Sequence, residues 1–185
     1  MVDNLKIFDF AKRNFSDRFT EGFSPHRDRC QAELQGPAID PDGEGMVGAI
    51  IPIGEGIFRQ NPEEGPRAEF EVVNVALTCG TRLDVCLQNR DATMPDVLLQ
   101  QIFLCDIDNL AIGRAEVDER KGEPVLDPMP DFETTSLSTL IGNAGCNALV
   151  GRILRVRRSE SRSSPCNEDV VVEGVIEDTE RSFFP

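Results

Sequence analysis

The sequence predicts a mainly β fold: an antiparallel β-sandwich or jelly-roll-like domain at residues 31–185, preceded by an N-terminal amphipathic helix or arm at residues 1–30. Three observations lead there. The 15 glycines and 12 prolines of the 185-residue chain fall almost wholly beyond residue 24, so turn signals punctuate everything after the first segment. Short runs rich in valine, isoleucine and leucine recur between those turns at intervals that suit a sandwich or a barrel. The last two runs, NALVGRILRVRR (147–158) and EDVVVEGVIED (168–178), read as strands joined by the polar loop SESRSSPCN.

Taken in order, residues 4–21 fit a helix. Leu5, Phe8, Phe15 and Phe19, joined by Ala11, share one face; Asp3 or Asn4 can cap its start and Gly22 can end it. Residues 24–45 are too rich in Pro, Gly and Asp to hold a period and read as a loop. AIIPI (49–53) predicts a short buried strand with Pro52 at its edge, and NPEEGP (61–66) a turn. EFEVVNVALT (69–78) is almost continuously apolar and predicts a strand buried on both faces. TRLDVCLQ (81–88) alternates Leu83, Val85 and Leu87 against Arg82, Asp84 and Cys86, a half-buried strand with Cys86 on the wetter face. VLLQQIFLCDI and LAIGRAEV predict a hairpin about Asp108-Asn109, residues 118–133 a charged loop, and GNAG (142–145) a turn.

The formal net charge of −14 argues against nucleic acid and anionic membranes as partners, because both repel an acidic surface. No window approaches the roughly 20 apolar residues of a membrane span. Asp3, Asp9 and Asp17 interrupt any apolar run near the start, so the expectation is a soluble cytosolic product without a signal peptide.

Catalytic chemistry has little to stand on. His26 is the only histidine, and Cys30 follows it by four residues in a polar loop rather than at a helix start that would activate a thiol. P-loop, GxSxG and GxGxxG patterns are absent, so neither an enzyme nor a cofactor is expected. Asp40, Asp42 and Glu44 alternate in a way that suits calcium, but without EF-hand spacing a plain acidic turn is the expectation, and no metal site is assigned. The six cysteines, at positions 30, 79, 86, 105, 146 and 166, form no CxxC. Reduced, buried thiols are one reading; disulfides formed in an oxidising place are the other. Cys30 and Cys166 lie in polar segments and are expected to be exposed, which makes them the candidates for a disulfide to another chain. Cys79 and Cys105, beside or within apolar runs, are expected to be buried.

Two patterns point toward self-assembly. Five of the 11 phenylalanines lie in the first 23 residues, and Phe183 and Phe184 sit at the other end, in a chain without Trp or Tyr. Arg152, Arg155, Arg157, Arg158 and Arg162 cluster ahead of the acidic run that holds Glu173, Glu177 and Asp178. Such a split hairpin can pair internally or meet a neighbouring subunit. The expectation is therefore a structural subunit of a filament, coat or shell, a homo-oligomer or polymer at a cell or spore surface or in a virion. Its interface would comprise Phe8, Phe15, Phe19, Phe183, Phe184, Arg155, Arg157 and Arg158. The alternative is a soluble cytosolic binding or regulatory β-module with reduced thiols.

Overall fold

The computed structural model describes residues 28–38, 50–61, 63–91, 93–107, 110–120, 124–159 and 164–179. The predicted helix at 4–21, His26, the acidic turn at 40–44 and the C-terminal phenylalanines lie outside the described residues. Among the described residues nine strands form: β1 (Asp28–Gln35), β2 (Ile53–Asn61), β3 (Gly65–Val73), β4 (Arg82–Leu87), β5 (Val97–Ile107), β6 (Leu110–Asp118), β7 (Val125–Asp127), β8 (Ile153–Arg158) and β9 (Val170–Asp178). A short helix, α1 (Leu137–Ile141), runs into a 3-10 segment, Gly142–Ala148.

The sheet order is β3-β2-β1-β9-β8-β4-β5-β6-β7, all antiparallel, and β3 also pairs with β6. That last ladder, from Arg67 opposite Asp118 to Val72 opposite Gly113, closes eight strands into a barrel and leaves β7 as one extra strand. The sandwich or jelly-roll expectation is therefore wrong. Alternation and turn spacing are the same in a sandwich and in a barrel; the difference is which distant strands share hydrogen bonds. Bulges at Val85/Cys86 and Val156/Arg157 supply the bending that closure needs. Two hairpins form as the sequence predicts, β5–β6 and β8–β9. Residues 28–35, read as loop, are instead a strand that alternates buried Cys30, Ala32 and Leu34 with outward Arg29, Gln31 and Glu33. The strand expected at 49–53 begins only at Ile53, and the short α1 was not expected.

Side chains fill the barrel. Phe58 and Phe70 meet edge to face, with ring centroids 5.7 Å apart. Around them pack Leu83, Val85 and Leu87 of β4, Leu99, Ile102 and Leu104 of β5, Leu154 and Val156 of β8, and Val172 and Ile176 of β9. Glycines make room for these large groups. A methyl group at Gly56 would strike Leu154, and one at Gly113 would strike Ile102. Charges instead occupy the outward positions of β1, β2 and β3.

One end of the barrel is plugged. Leu137, Ile141, Cys146 and Leu149 belong to the same core as the interior residues. Five residues are far too few for a helix to stand alone, so α1 depends on its anchors. The Glu119 carboxylate accepts hydrogen bonds from the Leu137 and Ser138 backbone N–H groups at 2.6 and 2.8 Å, and from the Ser136 and Ser138 hydroxyls. Asp28 accepts from the Cys146 N–H at 2.6 Å, and the Gln60 amide donates to the Gly142 carbonyl at 3.3 Å.

The wall is least regular where β5 and β6 part. β6 pairs with β5 through Arg114 and with β7 from Glu116, on the same edge. The fully buried Gln100 spans that split: its amide donates to the Glu116 carbonyl at 2.9 Å, and its oxygen accepts the Gln101 N–H at 2.8 Å. Gly113→Val should destabilise the protein by about 1–3 kcal/mol through overpacking against Ile102 and Leu104. Urea unfolding followed by circular dichroism measures this; an unchanged midpoint would mean that the interior has slack there.

Candidate functional site

Because the interior is filled with side chains, the chemistry of the described residues lies on the outside, and the register of β1, β2, β3 and β6 arranges it in rows. Arg29 stands opposite Arg59, Arg59 opposite Arg67, and Arg67 opposite Asp118. Two residues along the strands, Ile57 faces Glu69 and Glu69 faces Glu116; the next row is Glu33, Glu55, Glu71 and Arg114. An arginine row thus runs beside glutamate rows. Arg67 reaches Glu69 at 3.0 Å and Glu116 at 2.9 Å, and Arg114 reaches Glu71 at 2.9 Å. Burial pushes the Glu69 carboxyl up, against the pull of Arg67, Arg59 and Arg29.

At the plugged end this wall forms a recess lined by Arg59, Asn61, Glu64, Gly65, Arg67 and Arg120. Three guanidiniums could in principle hold a carboxylate or phosphate. Arg120, however, is engaged by Asp118, with Nε 2.9 and 3.0 Å from the two carboxylate oxygens, and lies 3.9 Å from Glu64. Arg67 is engaged as described, and Arg59 also has a partner. The hydrogen bonds from Arg120 hold the Asp118 carboxyl below its ordinary value of 3.8. The recess is thus an ion network already balanced within the chain.

The arginines singled out in the sequence are likewise engaged. Arg155 donates to Asp96 and to Glu173, each at 2.9 Å, and Arg157 approaches the same Asp96 at 3.4 Å and donates to the Glu168 carbonyl at 2.8 Å. Burial lowers the Arg155 pKa, but its hydrogen bonds to Glu173 and Asp96 outweigh this and raise it. Arg158 also has a partner. The structure thus brings Arg155 and Arg157 together around one carboxylate, while Phe8, Phe15, Phe19, Phe183 and Phe184 lie outside the described residues.

The cysteines reverse the expected exposures. Cys30 and Cys166 are buried, at disulfide distance from Cys146 and Cys86, with Cα separations of 5.7 and 5.8 Å. Cys79 and Cys105 are free and exposed. Cys30 points into the barrel from β1 and holds the plug. Cys86 and Asp84, expected on a wet face, are covered by two loops. Cys166 in one loop and Phe132 in the other pack over Cys86 and Leu98. Asp84 accepts from the Gln101 amide at 2.8 Å and from the Cys166 N–H at 3.1 Å, and the Asp131 N–H donates to Gln101 at 2.7 Å. Outside these loops, Arg82 pairs with Asp131 and lies 4.2 Å from the Phe103 ring centre.

Cys79 and Cys105 were the residues missed, though each had a signal. Cys79 stands in the turn TCGT, where the Thr81 N–H donates to the Thr78 carbonyl at 3.2 Å and Gly80 takes φ +86°. Cys105 follows the buried Leu104 and by alternation points outward. Among the described residues, no group of three or more His, Cys, Asp or Glu side chains could hold a metal ion, and no helix is long and apolar enough to cross a membrane. No protein-family model, curated protein or solved structure matches the chain.

Two tests follow from this geometry. A depressed carboxyl pKa means that the unfolded chain takes up the proton more readily, so the stability Asp118 contributes is present above its unfolded pKa and is lost as pH falls through the folded one. Asp118→Asn should therefore be less stable than wild type at pH 7, with the difference shrinking below about pH 4. Equal stabilities at pH 7, measured in urea, would remove the Asp118–Arg120 pair as a contributor. For the cysteines, peptide mapping of non-reduced protein should recover Cys30–Cys146 and Cys86–Cys166. These bonds would close loops spanning 116 and 80 residues, so a Cys30→Ala/Cys146→Ala variant should lose about 2–5 kcal/mol. Free alkylated thiols at all four positions would instead indicate a reduced protein.

Proposed function

We propose that the chain is a structural, self-assembling subunit of a filament, coat or shell at an oxidising surface, such as that of a cell, spore or virion. The observation that carries this reading is the combination of a side-chain-filled barrel with two disulfide-distance cysteine pairs. Such a barrel is built for rigidity, and what it can offer other molecules is its outer surface and its terminal segments. A closed barrel wall also has few unpaired strand edges, so neighbouring subunits would meet through side chains rather than by adding strands. The phenylalanines near both ends supply apolar groups for such contacts. Cysteine pairing favours an oxidising compartment over the cytosol.

A second reading, a soluble cytosolic binding or regulatory module with reduced thiols, draws on a different observation. Arg155 is paired within its own chain with Asp96 and Glu173, and Arg157 with Asp96, so neither needs a neighbour for an ion pair. Light scattering after size exclusion, with negative-stain microscopy of the same fractions, separates the two. The first reading expects oligomers or ordered particles that weaken when Phe8, Phe15 and Phe19 are replaced by Ser. A monodisperse monomer at every concentration, with or without reductant, would favour the module.

A further inference from the structure

Of the six cysteines, the fold commits four and leaves two in the same place. Cys79 and Cys105 lie on either side of one backbone junction. The Gly80 N–H donates to the Leu104 carbonyl at 2.8 Å, and the Leu104 N–H donates to the Thr81 carbonyl at 3.0 Å. One free thiol therefore sits next to each partner of this double hydrogen bond, and both are exposed. The junction lies at the start of β4 and near the end of β5, away from the plug that Cys30 and Cys146 secure.

The surroundings suit contact between like-charged molecules. A net charge of −14 opposes association of two copies over most of the surface. The stretch Val72–Thr81 carries no charged residue, and its exposed part includes Ala76, Thr78, Cys79 and Gly80. Cys105 stands opposite Ile112, so the strand beside it adds an uncharged neighbour. On the Cys79 side this end of the barrel thus offers an uncharged approach for a second acidic copy, whereas on the other side Asp106 follows Cys105 in the chain.

We propose that Cys79 and Cys105 form a coupling surface through which one copy of the chain is joined by disulfides to a second copy. The proposal rests on the structural-subunit reading and gives it a covalent site. An environment that oxidises the two buried pairs also acts on exposed thiols. The reaction is thiol–disulfide exchange with a low-molecular-weight disulfide such as oxidised glutathione. A Cys79 or Cys105 thiolate attacks one sulfur of the small disulfide, whose S–S bond breaks and releases one small thiol. A thiolate of the second copy then attacks the protein sulfur of that mixed disulfide, forming the inter-chain S–S bond and releasing the second small thiol. The two protons leave the protein thiols and are taken up by the two released small thiols; the protein sulfurs are oxidised and the small disulfide is reduced. Two such thiols per copy give a valence of two, enough for a chain of subunits rather than a single pair.

The test uses the full-length protein at micromolar concentration, incubated with oxidised glutathione and run on non-reducing gels. A mixture of isotopically labelled and unlabelled protein distinguishes links between chains from links within one. Wild type should give a ladder of covalent multimers that collapses with dithiothreitol, with mapped inter-chain bonds at Cys79 and Cys105. Cys79→Ser and Cys105→Ser, each with one thiol left, should stop at the covalent dimer, and the double variant should remain monomeric on the gel. Unchanged thermal midpoints for these surface variants would exclude unfolding as the cause. An intrachain Cys79–Cys105 bond, glutathione adducts without multimers, or a ladder undiminished in the double variant would each overturn the proposal. Its failure is separable from that of the parent reading. Particles seen by light scattering in reductant, with no ladder under oxidation, leave a non-covalent structural subunit. Covalent dimers without any particles keep the coupling surface and remove the assembly.

Discussion

Closure of the wall between β3 and β6 is the constraint on which the rest of the structure depends. Its register runs from Arg67 opposite Asp118 to Val72 opposite Gly113, and it turns a row of antiparallel strands into an enclosed space. Once the wall is closed, alternate residues have only two destinations. Ala68, Phe70 and Val72 must be accommodated inside, and Gly56 and Gly113 are small where Leu154 and Ile102 need room. Arg67, Glu69 and Glu71 must be accommodated outside, where they form the charge rows. The same closure creates an open end, which the Leu137–Ala148 plug fills, and a split between β5 and β6, which Gln100 bridges.

The outer surface is consequently where charge is organised, and it is organised mostly toward the chain itself. Arg67 serves Glu69 and Glu116; Arg155 serves Asp96 and Glu173; Arg120 serves Asp118. These pairs are partly buried, so the cost of taking their charges out of water offsets much of the attraction between them. Their more consequential effect is to place opposite charges within reach on a molecule with a large acidic excess, which limits self-repulsion in the compact state. A partner would therefore have to displace pairs that already exist, or use the uncharged places that remain.

Much of the secondary structure was legible. The strict alternation of Leu83, Val85 and Leu87 marked β4, and turn residues marked the β5–β6 and β8–β9 hairpins. Local patterns are enough for such elements because their partners are close in sequence. β1 was hidden because its inward residues, Cys30, Ala32 and Leu34, include two small ones and stand in a stretch dense with turn formers. Closure was not legible at all, since no local pattern says that Phe70 will lie opposite Ala115. The candidate site fared worst, and for a related reason. Exposure of a cysteine was judged from the polarity of its own segment, whereas Cys86 is covered by loops far away in sequence and Cys166 is drawn inward by Asp84 and Cys86. The long apolar run VLLQQIFLC likewise concealed that Leu104 and Cys105 face opposite ways.

The position of β9 carries a consequence for how the molecule is made. It lies between β1 and β8, so the first described strand in the chain finds one of its two neighbours only in the last. During synthesis β1 can pair with β2, but its other edge, and that of β8, stay open until residues 170–178 have emerged. Pairings between such distant segments require a large loop to be ordered before any contact rewards it, and folding dominated by them is slow. A chain stopped short of β9 would expose two unpaired strand edges at once, the condition that favours aggregation over folding. Completion of the barrel is thereby tied to completion of the β8–β9 hairpin.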